Sequence, residues 1–535
     1  MIDDIIYNQI PENDEGSVEY KRQLINIKPN RFEHLVTQMK YRVLEGYGEC
    51  LYEIGINDKG DAHGLNEEEF LESLDNLKKM AKSIDCEVVV ICEKVLKNNK
   101  KVAEALIREV LEDRCIDIRI CICGNVDAGK STLVGVLSTG EVDNGRGYAR
   151  QRVFNHRHEV ETGRTSSVSY QTIGFDCRGN PTNYDNNTLR MIDKQNMIRN
   201  SSKTVTLYDL AGHEKYLRTT LFGMSSSIPD YAMVVISANN GIQRMTKEHI
   251  GICLALKIPF FVVMTRIDIC SEHVINSTLD SIKKLVKKIG VRKIPYMIRN
   301  DDDIIIASKN LKDDNIVPIF SVSSVTSKNI DKIKKCLNLL PVRKNWLDLK
   351  DSKARCVIDS IYQVPGIGLV VAGLVNSGTI CIGETVNVGP DDTGKYKTVQ
   401  IRSIQTNGIN RKEVSAGRTA AFSLSKYKGN LYVRKGMVLL DIKTPVKSVW
   451  EFKTEIKILF HSTTIKVGYQ PVIHCGAVKQ SATITNIEDR EILRTGDKAI
   501  VTFRFLYRPE YLVNGSKLIM RENMTRAIGM IVDII

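Results

Sequence analysis

The chain has 535 residues, 42% of them hydrophobic and 26% charged, with 76 basic against 63 acidic residues for a net charge of +13. That length exceeds one ordinary core and predicts about three to five domains at roughly 100 to 200 residues each. No stretch approaches the roughly 18 uninterrupted apolar residues of a membrane span, which argues against an integral membrane protein. The positive balance admits contact with a polyanion, but the basic residues are spread through every segment and most serve as solvated surface.

The chain opens with acids at Asp3 and Asp4, where a secretory leader would carry basic residues, so the expected location is the cytoplasm. Thirteen cysteines, an odd number, run from Cys50 to Cys475 without a CxxC pair, which fits neither a disulfide framework nor a zinc ribbon. They read as reduced, mostly buried thiols, and no structural metal is expected. Cys121 and Cys123 alternate with Ile120 and Ile122, the pattern of side chains packed on a strand.

In chain order, Phe32, Leu35, Val36, Met39 and Val43 recur at helical spacing and predict a helix over 31–45. A strand over 50–56, a second helix over 67–82 and a strand over 87–92 complete a small α/β unit, 1–113. From Asp117 an apolar strand, 118–123, runs into a glycine-bounded loop and an apolar helix, 130–137. Buried strands are expected at 204–208, 233–237, 260–264 and 316–322, with helices between them, so 114–345 reads as a largely parallel sheet covered on both faces. Residues 179–202, polar and rich in asparagine, read as a loop or insertion. After about residue 345 helical spacing almost vanishes and short strands alternate with turn residues, which predicts two β-barrel domains, 346–445 and 446–535.

Gly124, Asn125, Val126, Asp127, Ala128, Gly129, Lys130 and Ser131 match GxxxxGK[ST] at every fixed position, and Thr132 follows. The glycines let backbone N–H groups surround phosphates, Lys130 can reach the β and γ oxygens, and Ser131 offers its hydroxyl to Mg²⁺. Asp209 and Gly212 fit DxxG at a strand end, where the carboxylate can hold Mg²⁺ through water and the glycine amide can sense a γ-phosphate. The pattern is weak by itself, since Asp61 to Gly64 and Asp391 to Gly394 match it too. Thr265, Arg266, Ile267 and Asp268 follow a strand and resemble the [NT]KxD box of GTPases, in which Asp268 would accept from guanine. Arg266 stands where lysine is usual, a change of shape that bears on affinity and exchange. Ser323 and Ser324 fall where the last guanine-contacting loop is expected, and fit a pair of strand-end serines equally well.

The order of these motifs, with terminal β domains, resembles translational GTPases of the elongation factor 1-alpha and Tu type. The P-loop, the run from Asp143 to Arg150 and the run from Glu161 to Val168 are similar to the branch of GTP-binding proteins 1 and 2. So are Leu35 to Arg42, Tyr52 to Gly55 and Met520 to Gly529. The resemblance implies a multidomain α/β plus β fold that binds GTP/GDP with Mg²⁺ and hydrolyses GTP. It implies Thr165 as the switch threonine, meeting Mg²⁺ and the γ-phosphate, with Ser166 one register away. It makes His213 the residue that positions the attacking water, beside Lys130. Implied partners are aminoacyl-tRNA, the ribosome or other RNA-processing machinery, with an exchange factor a further candidate; oligomeric state stays open. The alternative reading is a regulatory GTP-dependent binding module, for instance in RNA turnover, with slow incidental hydrolysis. A P-loop ATPase or kinase is disfavoured by Thr265 to Asp268.

Overall fold

The helical spacing near the N-terminus is realised in α1 (Pro29–Glu45), opened by a proline in its first turn. The computed structural model describes residues 12, 16–96, 98–110, 115–185, 190–288, 293–425, 432–459, 463–522 and 525–535. Leu35, Met39 and Val43 of α1 share a core with Phe70, Leu77 and Met80 of α2 (Glu67–Lys82). Asn66 starts α2 with a reciprocal cap: its side chain accepts from Glu69 N (2.8 Å), and the Glu69 carboxylate accepts from Asn66 N (3.1 Å). Both helices cover a sheet of β1 (Val18–Lys21), β2 (Glu49–Ile54), β3 (Cys86–Val95) and β4 (Lys101–Glu109), in the order β1-β2-β4-β3. No strand was expected at β4. Its run of Ala103, Glu104, Ala105 and Leu106 favours helix locally, and pairing with β2 and β3 overrides that preference.

The next unit runs β5 (Ile116–Gly124), α3 (Lys130–Thr139), α4 (Tyr148–Gln151), α5 (Arg157–Thr162), β6 (Ser169–Phe175), α6 (Lys194–Arg199), β7 (Lys203–Asp209) and α7 (Leu217–Ser226). It continues with β8 (Tyr231–Ser237), α8 (Arg244–Ala255), β9 (Phe260–Thr265), α9 (Glu272–Lys288), β10 (Ile294–Met297), α10 (Asp301–Leu311), β11 (Ile316–Ser321) and α11 (Ile330–Leu339). The sheet order is β10-β11-β9-β8-β5-β7-β6, parallel throughout except for the edge strand β6, antiparallel to β7. Alternate residues of β5 face opposite layers. Ile118, Ile120 and Ile122 share a core with Leu133 and Leu137 of α3 and Ile333 of α11, whereas Cys121 and Cys123 pack with Leu221 of α7 and Ile250 of α8. The cysteine pair is therefore structural, as its alternation implied.

The asparagine-rich stretch is anchored. Tyr184 is buried and receives a hydrogen bond from Lys334 (2.7 Å), and α6 buries Met197 and Ile198; residues 186–189 lie outside the described ones. The expected domain limit at 113 also lies outside them.

Strands Arg355–Val364, Gly368–Ser377, Thr419–Leu424, Lys397–Thr406, Thr385–Gly389 and Val438–Asp441 form a ring closed by antiparallel pairing of Thr385–Gly389 with Lys397–Thr406. Glu451–Ile458, Lys498–Phe505, Val478–Ile487, Val472–Cys475, Lys517–Arg521 and Thr525–Ile534 close a second barrel. Each barrel has its own apolar core, and the buried pair Arg434–Glu510 (2.7 Å) ties one to the other. Among the described residues no helix is long and apolar enough to cross a membrane.

Candidate functional site

The loop between β5 and α3 owes its path to close approaches that exclude side chains. Gly124 has φ +145°, and a Cβ there would lie 2.2 Å from the Val235 carbonyl oxygen; Gly129 has φ +85° and ends the loop as the residue before α3. No side chain caps α3, so its first N–H groups are left to the loop's own concavity, a setting that favours anions. Lys130 is buried and its Nζ donates to the carbonyls of Asn125 (2.8 Å) and Gly124 (3.3 Å). Burial lowers its pKa, with Asp209 pulling the other way.

Three oxygen-bearing side chains from distant segments meet beneath this loop. The Ser131 hydroxyl donates to Asp209 Oδ2 (2.6 Å) and pairs with Thr165 Oγ1 (2.8 Å), which itself lies 3.4 Å from Asp209 Oδ2. Asp209 is fully buried and its Oδ1 has no hydrogen-bond partner among the described residues. Burial raises its carboxyl to about 6 against the opposing pull of Lys130, Ser131 and Thr165. An orphaned carboxylate oxygen beside two hydroxyls is a hard-oxygen donor set that fits Mg²⁺.

The segment carrying Thr165 is pinned by Glu159, a residue the motif reading passed over. Its buried carboxylate accepts from the N–H groups of Asn155 (3.0 Å), His156 (3.2 Å), Ser166 (2.7 Å) and Ser167 (2.9 Å). Burial opposes ionisation, yet these donors hold its pKa down at about 2.

Gly212 is needed for proximity: a Cβ there would lie 2.3 Å from Lys130 Nζ and 2.8 Å from the Asn125 carbonyl. His213, next in the chain, lines the same pocket, and its Nδ1 accepts from Lys215 N (3.1 Å), which leaves the ring proton on Nε2. A further histidine, His249 of α8, lies buried behind the loop and accepts the Gly124 N–H on Nδ1 (3.0 Å). Burial, with Lys130 nearby, pushes its pKa down to about 3.

The pocket gathers Val126, Asp127, Gly129 to Thr132, Thr165, Gly212, His213 and Arg266, together with Arg150, Gly163 and Arg164, which the motif search did not select. Gly124, Asn125 and Ala128 contribute backbone to the loop without lining the pocket. Thr265 reaches the loop from β9, its hydroxyl donating to the Ala128 carbonyl (2.7 Å). Asp268, Ser323 and Ser324 are not among the lining residues. Asp268 is exposed just after β9, and β11, the parallel neighbour of β9, leads into the two serines. Ser323 is fully buried with its hydroxyl accepting from Val325 N (3.2 Å) and Thr326 N (3.0 Å), while the Ser324 carbonyl accepts from Asp143 N (2.9 Å).

Residues 117–352 match the family described as the elongation factor Tu GTP binding domain. The chain is 41% identical to human GTP-binding protein 2 over 98% of its own length and 88% of that protein. It is likewise 41% identical to GTP-binding protein 1 of Xenopus laevis, covering 98% of this chain and 80% of the relative. Among solved structures its fold resembles translation elongation factor SelB from Methanococcus maripaludis in complex with the GTP analogue GppNHp. That likeness has a TM-score of 0.54 at 19% identity, over 78% of this chain and 79% of that one.

Proposed function

We propose, on the premise that this chain belongs to the GTP-binding protein 1 and 2 family and is a P-loop GTPase, that it is an elongation-factor-like switch whose GTP form engages RNA-bearing partners. Aminoacyl-tRNA, the ribosome or RNA-processing machinery are the candidates, met in the cytoplasm. The observation that carries the reading is the convergence of Ser131, Thr165 and Asp209 around an unpartnered carboxylate oxygen. It joins a threonine of the segment before β6 to the phosphate loop, so that a nucleotide's terminal phosphate and its cation would be felt directly by that segment.

Ser131 and Thr165 would hold Mg²⁺ directly and Asp209 through water; bound there, the ion neutralises charge on the phosphates. Lys130 supplies the second cation. His213, with its proton on Nε2, orients the attacking water, and the Gly212 amide reads the γ-phosphate. Phosphoryl transfer calls for little covalent help, so positioning and charge neutralisation do most of the work. On the base side Asp268 accepts from guanine, Thr265 braces the loop, Arg266 covers the nucleotide and Ser323 with Ser324 complete the edge.

Helix α7, which follows Gly212 and His213 in the chain, touches both barrels, which supports transmission. The Ser225 hydroxyl of α7 donates to the Gly476 carbonyl in the second barrel (2.8 Å), and Lys435 of the first barrel lies 5.5 Å from the Phe222 ring centroid. Releasing Thr165 and α7 after hydrolysis would repack these contacts.

The test compares GTP and ATP binding and hydrolysis, with and without ribosomes, in the wild type, Asp268→Asn and His213→Ala. Selective GTP binding that Asp268→Asn shifts towards xanthine nucleotide, with ribosome-stimulated turnover lost in His213→Ala, is the expected result. Tight GTP binding without ribosome stimulation would replace the elongation-factor-like role by a regulatory binding module.

A further inference from the structure

We propose that Arg150 is an arginine finger supplied within the chain: its guanidinium contacts the terminal phosphates of bound GTP and stabilises the transition state of hydrolysis. The proposal rests on the GTPase reading above and adds a residue to it. Arg150 lines the pocket together with Lys130, Thr165, Gly212 and His213, the residues assigned to the terminal phosphate. It is half-buried, and its Nη1 donates to the Gly163 carbonyl at 3.4 Å, within the segment that carries Thr165. That long single bond leaves most of the five donors of the guanidinium for another acceptor.

The surroundings are built to seat this side chain. A Cβ on Gly147 would lie 2.3 Å from its Nε, and one on Gly163 would lie 2.9 Å from its Nη2, so the guanidinium packs close against the backbone of both glycines. The backbone that carries it is held by hydrogen bonds and close packing. The Asp143 carboxylate accepts from Gly145 N (2.9 Å), Gly147 N (3.2 Å) and Ala149 N (2.9 Å), and α4 lies so close to α3 that a Cβ on Gly135 would meet the Ala149 carbonyl at 2.2 Å. The bond from Asp143 N to the Ser324 carbonyl ties the same loop to the edge assigned to the base. Placement of the arginine is therefore coupled both to the switch segment, through Gly163, and to the base side, through Asp143.

In the step, the water oxygen bonds to the γ-phosphorus while the bond from that phosphorus to the β–γ bridging oxygen breaks. The electron pair leaves with GDP, and the water proton passes to the released phosphate or to solvent. Arg150 neither gives nor takes a proton; it donates hydrogen bonds to the oxygens that gain negative charge. Arg164, on the exposed side of the same pocket, has no comparable seat.

Single-turnover GTP hydrolysis, GDP affinity, and capture of GDP with aluminium fluoride are measured on the wild type, Arg150→Ala, Arg150→Lys and His213→Ala. In Arg150→Ala hydrolysis falls by about 10³-fold or more, within the range of about 10³ to 10⁵ known for arginine fingers. GDP affinity is unchanged and the aluminium fluoride complex no longer forms. Arg150→Lys keeps the charge but not the planar fork and recovers only a small part of the rate. Hydrolysis by Arg150→Ala at the wild-type rate would overturn the assignment, as would a parallel loss of GDP affinity, which marks a residue that only holds the loop. Loss in His213→Ala with none in Arg150→Ala removes the arginine and leaves the switch reading standing; loss in Arg150→Ala alone does the reverse for His213.

Discussion

The two ends of β7 carry two buried charge clusters that differ in one respect. At its start Lys203 donates to Glu49 Oε1 (2.6 Å) and to the Leu340 carbonyl (2.7 Å), and Glu49 Oε2 receives two bonds from Arg108 (2.7 and 3.0 Å). Arg108 in turn reaches the Asn338 side chain (2.9 Å), so the N-terminal unit is tied to the sheet through one carboxylate that pairs with two cations. Burial alone would raise the Glu49 carboxyl, but Lys203 and Arg108 hold it below its ordinary range. At the other end of the same strand Asp209 keeps an oxygen without a partner among the described residues, and burial raises its carboxyl to about 6. A cluster whose polar atoms are paired builds structure; one that keeps an oxygen unpaired at the same depth fits the cation proposed there.

That contrast can be broken from either end. Glu49→Ala leaves Lys203 and Arg108 buried without a counter-charge and is expected to cost about 3 to 5 kcal/mol of stability, read from denaturant midpoints. Hydrolysis by the protein that remains folded should be unchanged, and a rate loss there would show the two ends to be coupled. Asp209→Asn has the opposite signature: hydrolysis drops by about 10²- to 10³-fold, on the scale of a lost transition-state donor, while nucleotide-free thermal stability holds or rises.

A third buried group, His249, sharpens the comparison through pH. Its folded pKa of about 3 lies below the ordinary 6.5, so the unfolded chain binds the extra proton and stability falls as pH drops from 6.5 towards 3. At pH 5 the loss is about 2 kcal/mol. His249→Asn, which keeps an acceptor for the Gly124 N–H, should flatten that part of the acid profile. The smallest expected effect is Gly212→Ala: its Cβ would crowd Lys130 Nζ and the Asn125 carbonyl, lowering hydrolysis about tenfold, or 1.4 kcal/mol, with little change in melting temperature.

The glycine loop, the strand before it and the helix after it were legible because all their determinants lie within a few residues: phosphate-loop spacing, apolar alternation and helical propensity are local. The strand leading to Thr265 was legible as a continuous apolar run, since a parallel strand covered on both faces needs apolar side chains throughout, and the one leading to Asp209 by its β-branched and apolar residues, Val205 and Leu207 alternating with threonines. β4 was not, because its residues favour helix until two neighbours pair with them. His249 carried no readable pattern, because it meets the amide of Gly124 from a distant helix; the donors to Glu159 lie three to eight residues away but converge only when the loop folds, and Arg150 stood out only as the end of the run from Asp143.

By itself, then, the order of residues determined the α/β unit, the parallel nucleotide domain, the β-rich C-terminal half and the place of the glycine-bounded loop between strand and helix, all of which rest on short-range periodicity and spacing. Only the tertiary structure decided which polar groups lose water together and which of those remain unpaired. Desolvation and pairing depend on distances between segments far apart in the chain, and those distances are set by packing.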